Sequence, residues 1–73
     1  MPYVNIKLTR EGITAEQKQT LIQETTEMLV RVLNKEPQMT HVVIDEIDTD
    51  NWGFGGESVT YYRKRDRKGE GND

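Results

Sequence analysis

Met1-Pro2-Tyr3-Val4-Asn5-Ile6-Lys7-Leu8 opens the chain and decides its fold. After the proline the residues alternate, with Val4, Ile6 and Leu8 on one side and Tyr3, Asn5 and Lys7 on the other. A period of two is the pattern of a half-buried strand. Proline is compatible with the first position of such a strand, where no ladder hydrogen bond is needed. If Met1 is removed, the Pro2 nitrogen becomes a secondary amine fixed at the edge of a sheet. A terminal amine has a reference pKa of about 7.7–8.0, so it takes up and releases protons near neutrality.

Outward from this strand, Thr9-Arg10-Glu11-Gly12-Ile13 forms a short polar connection with a glycine to turn on. Thr14-Ala15-Glu16-Gln17 reads as a helix start, Thr14 being the N-cap and Gln17 the residue that reaches back to it. Leu21, Ile22, Thr25, Met28, Leu29, Val32 and Leu33 recur at spacings of three and four, a single stripe on a helix of about five turns. Lys18, Gln19, Glu24, Glu27 and Arg31 fall on the opposite, solvated face. Asn34, followed by Lys35-Glu36-Pro37, ends the helix, since the residue before proline avoids the helical region.

His41-Val42-Val43-Ile44-Asp45-Glu46-Ile47 is the second strand, branched and nearly continuously apolar in its first half. Strand, helix and strand make a βαβ unit, whose crossover is right-handed and whose strands are parallel. Parallel strands begin at one edge, so Pro2 and the neighbourhood of His41 share that edge. Arg10 lies past the far end of the first strand, roughly 25 Å away at ~3.3 Å per residue. It reaches a Pro2 only from a neighbouring subunit.

Asp48-Thr49-Asp50-Asn51-Trp52-Gly53-Phe54-Gly55-Gly56-Glu57 sets two large aromatics among glycines and turn-forming residues, as suits a hairpin whose aromatics dock on something. A short strand is expected over Ser58-Val59-Thr60-Tyr61. Residues 64–73 read as a charged tail without periodicity, disordered at its end, after a domain over 1–63. The expected fold class is therefore α+β: a single βαβ unit with parallel strands plus a short C-terminal hairpin.

Composition narrows the function. With 73 residues the chain is one small domain, and such a domain buries only about 60 % of its unfolded surface. The absence of cysteine excludes disulfides and thiolate metal sites, and one histidine makes no zinc site alone. Association with copies of itself is the remaining source of stability. No apolar run approaches the ~20 residues that span a bilayer, and no signal peptide is seen, which points to a cytoplasmic protein without membrane partners. Acids interleave the run Arg63-Lys64-Arg65-Asp66-Arg67-Lys68 and the net charge is −3, so a solvated tail is favoured over a nucleic-acid interface.

The initial Met-Pro, Glu16-Gln17-Lys18 opening the helix, and Trp52-Gly53-Phe54-Gly55-Gly56-Glu57 resemble the 4-oxalocrotonate tautomerase family in order and interval. The resemblance spans residues 2 to about 63. It implies a homohexamer built as a trimer of dimers, a place in the degradation of aromatic compounds, and cofactor-free proton transfer on a 2-oxo or 2-hydroxy acid. Carried over position by position, Pro2 matches the catalytic base. Trp52 stands where the family has a phenylalanine lining the site. His41 stands where an arginine binds a substrate carboxylate and polarises the 2-oxo group. The family's second arginine position falls near Ile13, and the nearest cation is Arg10. The resemblance thus implies Pro2 as catalytic residue, with Trp52, His41 and Arg10 against the substrate. Two rivals stand beside this: a non-catalytic oligomeric module, and a hydratase-like relative using the same proline.

Overall fold

In the computed structural model, which describes residues 1–70, strand β1 (Tyr3–Thr9) is followed by helix α1 (Ala15–Leu33) and strand β2 (His41–Ile47). β1 and β2 pair in parallel, with Tyr3 opposite His41, Val4 opposite Val42 and Thr9 opposite Ile47. A parallel pair requires a crossover, and α1 supplies it. Its start follows from chemistry local to the chain. The Thr14 side chain accepts from the Gln17 amide at 3.0 Å, and the Gln17 side chain accepts from the Thr14 amide at 2.9 Å. This reciprocal cap satisfies amides that have no partner inside the helix. At the other end Asn34 takes the left-handed conformation at φ 54° and its amide donates to the Val30 carbonyl.

The register puts Val4, Ile6 and Leu8 on the same sheet face as Val42, Ile44 and Glu46. α1 packs on this face. Two features of α1 differ from the sequence reading. Lys18, expected on the solvated face, reaches the sheet and forms an ion pair with Glu46; its methylene stem lets it cross apolar surface. Val32 and Leu33, expected in the packed stripe, are 66 % and 55 % exposed, whereas Val30 is half-buried. Leu21 and Met28 of the same stripe are exposed as well, at 38 % and 42 %, because a two-stranded sheet is too narrow to cover the whole stripe.

The opposite sheet face carries Tyr3, Asn5 and Lys7 beside His41, Val43 and Asp45. Asp45 accepts from Asn5 and from Lys7, each at 2.9 Å, so the polar part of this face is internally paired. Tyr3 remains 64 % exposed and Val43 39 %. Among the described residues Val59 alone is buried and apolar, so the core of one copy is incomplete.

Beyond β2, a single 3₁₀ turn (Thr49–Asn51) leads into the hairpin β3 (Gly53–Phe54) and β4 (Glu57–Ser58). Gly55 and Gly56 form its two-residue turn at φ 61° and 85°, the positive values that a twisted hairpin demands of both central residues. The expected hairpin is present, but the expected strand over Ser58–Tyr61 is not. Helix α2 (Val59–Glu70) begins there instead. Ser58 caps it, its Oγ accepting from the Tyr61 amide at 3.1 Å. The helix continues through residues 64–70, which the sequence assigned to a tail; residues 71–73 of that tail lie outside the described residues. No helix among the described residues is long and apolar enough to cross a membrane.

Candidate active site

The parallel register brings the strand starts together. The His41 amide donates to the Pro2 carbonyl at 3.0 Å, which extends the ladder by one bond before β1 begins. Pro2 is thereby held through its carbonyl while its nitrogen takes no part in the sheet. The residue itself is half-buried, and the His41 side chain is exposed. In this chain Met1 precedes Pro2, so the nitrogen is an amide as long as Met1 is present.

A cleft of about 510 Å³ lies at the other end of β1, walled by Leu8, Trp52, Phe54 and Tyr62 and rimmed by the cations Lys7 and Arg63. Its wall is fixed by several contacts. The Val59 amide donates to the Trp52 carbonyl at 2.7 Å and ties the start of α2 to the residue preceding the hairpin. The hydroxyls of Thr49 and Thr60 meet across the same junction. The rings of Phe54 and Tyr62 stack at 4.3 Å with 10° between their planes. The Arg65 guanidinium lies 4.6 Å from the Tyr62 ring centre, while Glu57 holds it at 2.9 Å. A stack of this kind restrains every ring in it.

Arg10 does not face this cleft's wall. Its Nε donates to Asp48 at 2.7 Å, its Nη2 donates to the Glu46 carbonyl at 3.2 Å, and its Nη1 lies 3.6 Å from the Glu46 carboxylate. The guanidinium ties the β1 exit to the end of β2. Within one copy, then, Pro2 and His41 stand at one edge of the sheet and Trp52 and Arg10 at the other. The span of β1, about 20 Å at ~3.3 Å per residue, separates the pairs.

Of the residues lining the cleft, Trp52 alone is a site candidate from sequence; Tyr62 carries no motif, and Arg63 reads as part of a charge run. Ser58, three residues before Tyr61, was the available signal for a helix start that would turn both toward the hairpin. Among the described residues no cluster of three or more histidine, cysteine, aspartate or glutamate side chains could hold a metal ion.

A βαβ subunit with this glycine-turned hairpin is a tautomerase fold, and the sequence agrees. The tautomerase enzyme family matches residues 2–62, and the chain belongs to that family. The probable tautomerase K2 of Dickeya dadantii is 57 % identical over 65 residues, 89 % of this chain and 97 % of that relative. The crystal structure of DmpI from Helicobacter pylori superimposes with a TM-score of 0.79 at 49 % identity, over 86 % of this chain and 97 % of DmpI. A 4-oxalocrotonate tautomerase isozyme from Methylibium petroleiphilum gives a TM-score of 0.79 at 25 % identity, over 88 % of this chain and 98 % of that one.

Proposed function

We propose that the protein is an isomerase that interconverts the enol and keto forms of a 2-oxo acid, with the Pro2 amine, freed by removal of Met1, as general base. The observation that carries this reading is the anchoring of Pro2. Its carbonyl is held by the His41 amide at 3.0 Å, leaving the nitrogen at the sheet edge. The base accepts the proton of the 2-hydroxy group and returns it to a carbon of the conjugated system. One O–H and one C=C bond are exchanged for C=O and C–H, with no net change in protons or electrons. An apolar wall disfavours the protonated amine and lowers its pKa toward the working pH, where proton transfer in both directions is most efficient.

The apolar wall lies at the opposite end of β1 from Pro2, so a complete site is formed across a junction between copies, Trp52 of one facing Pro2 of another. The incomplete core and the exposure of Tyr3, Val32 and Leu33 favour a homo-oligomer, and a hexamer is the assembly we propose. A relative of the same fold from Chloroflexus aurantiacus is a heterohexamer. In this reading His41, at the shared edge, holds the developing oxyanion.

The test combines intact mass with an enol-to-keto assay on phenylenolpyruvate and 2-hydroxymuconate. A mass lacking Met1, and a rate reduced by roughly 10²–10⁴-fold in Pro2→Ala, is the expected result. A processed Pro2→Ala variant as fast as the parent refutes the proposal.

A further inference from the structure

We propose that Arg63 binds the substrate carboxylate, and that Glu11 is the internal anion that holds its guanidinium in position. The inference rests on the reading above that the substrate is a 2-oxo or 2-hydroxy acid, whose carboxylate needs a cation beside the aromatic wall. Lys7 and Arg63 are the cations that line the cleft with Trp52. They differ in what they have left to offer.

Lys7 is committed. Its ammonium donates to Asp45 at 2.9 Å, and Asp45 in turn is fixed by Asn5. The Asp45 carboxylate faces Lys7 on the open side of the sheet, so an incoming carboxylate would meet a negative group there. Arg63 is only partly used. Its Nη2 donates to Glu11 at 3.1 Å and to the Thr9 hydroxyl at 3.4 Å. Its Nε and Nη1 have no partner among the described residues. The side chain is half exposed, and the planar fork presents several donors in geometry matched to a carboxylate.

Arg63 is also well placed. It follows Tyr62, whose ring is stacked on Phe54, and it stands near the capped start of α2. The Glu11 carboxylate is held below its ordinary pKa, first by the Thr9 hydroxyl and then by Arg63. It is therefore ionised at neutral pH and pulls Nη2 toward the β1–α1 loop. Nε and Nη1 are left to donate to a ligand, each through its own N–H. Glu11 also tempers affinity, because its charge repels the anion that Arg63 attracts.

Trp52 is the single tryptophan and lines the same cleft, so its fluorescence reports occupancy without turnover. The intact protein is titrated with 3-phenylpropanoate and with the uncharged 3-phenylpropanamide. The parent is expected to bind the acid more tightly than the amide. Arg63→Gln is expected to weaken acid binding about tenfold or more, the loss of a charge-assisted contact, and to leave the amide unchanged. Arg63→Lys recovers part of the loss, and Glu11→Gln strengthens acid binding. With phenylenolpyruvate, Arg63→Gln raises KM more than it lowers kcat. Equal acid binding by parent and Arg63→Gln overturns the proposal. So does a parallel loss of acid and amide, or a parent without preference for the acid. Unchanged or weaker acid binding in Glu11→Gln overturns the role given to Glu11. Failure of the tautomerase reading is seen separately, as Pro2→Ala turning over like the parent.

Discussion

The His41 amide and the Pro2 carbonyl meet at 3.0 Å, one hydrogen bond beyond the paired register in which Tyr3 faces His41. The contact belongs to the backbone, so it survives loss of the imidazole and fails when the donor is removed. His41→Ala is therefore expected to stay within about 0.5 kcal/mol of the parent in urea denaturation. His41→Pro, which has no N–H to give, is expected to cost about 1 kcal/mol or more and to slow the enol-to-keto reaction by releasing Pro2. Equal activity in His41→Pro and His41→Ala would show that the bond does not position Pro2.

Gly55 sustains the aromatic wall in two ways. Its φ of 61° lies where a side chain is strained, and an added Cβ would stand 3.2 Å from the Tyr62 hydroxyl. Gly55→Ala is expected to destabilise the protein by about 1–2 kcal/mol. It should also push Tyr62 from its stack on Phe54, weakening ligand-induced change in Trp52 fluorescence. At Gly56, with φ 85° and open space around the position, the cost is backbone strain alone. Gly56→Ala should thus destabilise without moving the Trp52 response, and the comparison separates strain from collision.

Much of this fold is written in short-range signals, and the parts that are not share a cause. Alternation in Tyr3–Leu8, the Thr14/Gln17 box and the left-handed Asn34 each depend on neighbours a few residues apart, and each is seen in the structure. The order and interval of Met1-Pro2, Glu16-Gln17-Lys18 and the Trp52–Glu57 loop are sufficient to indicate the family. A strand is expected over Ser58–Tyr61 because Val59, Thr60 and Tyr61 favour strands by composition, while the helical state of α2 depends on the Ser58 cap and on the contact of Tyr62 with Phe54. Lys18 looked solvated because its partner, Glu46, is brought to it only by the crossover. Arg63 was hidden in a run of charges for the same reason, since Glu11 and Trp52 become its neighbours only on folding.

The capping box of α1 gives a prediction that concerns stability alone. Thr14 accepts from the Gln17 amide at 3.0 Å, and Thr14→Ala leaves that donor without its partner. A loss of about 1 kcal/mol in urea denaturation is expected. Thr14→Ser or Thr14→Asp should retain most of the parent stability, because either side chain can accept the same hydrogen bond. A loss shared by all three variants would assign the effect to packing of the Thr14 methyl group rather than to the cap.

Asp45 and Lys7 supply the pH dependence of the open sheet face. The Asp45 carboxylate is held below its ordinary pKa, first by the Lys7 ammonium and then by the Asn5 amide. A carboxylate whose folded pKa is depressed adds stability above its unfolded pKa, about 3.9, and that contribution disappears as pH falls through the folded value. Lys7 is raised, chiefly by the same hydrogen bond, so its share is present below its unfolded pKa, about 10.4, and is lost as pH rises through the folded one. The pair is thus intact on a plateau from about pH 5 to pH 9. Urea midpoints of the parent and Asp45→Asn are expected to differ by a constant amount across that plateau and to converge in acid, where the parent's own carboxyl becomes neutral. The difference should shrink in 1 M salt, which screens exposed charges. A gap that persists undiminished below pH 3 would mean that Asp45 stabilises the sheet through its neutral hydrogen bonds, and that its charge contributes nothing.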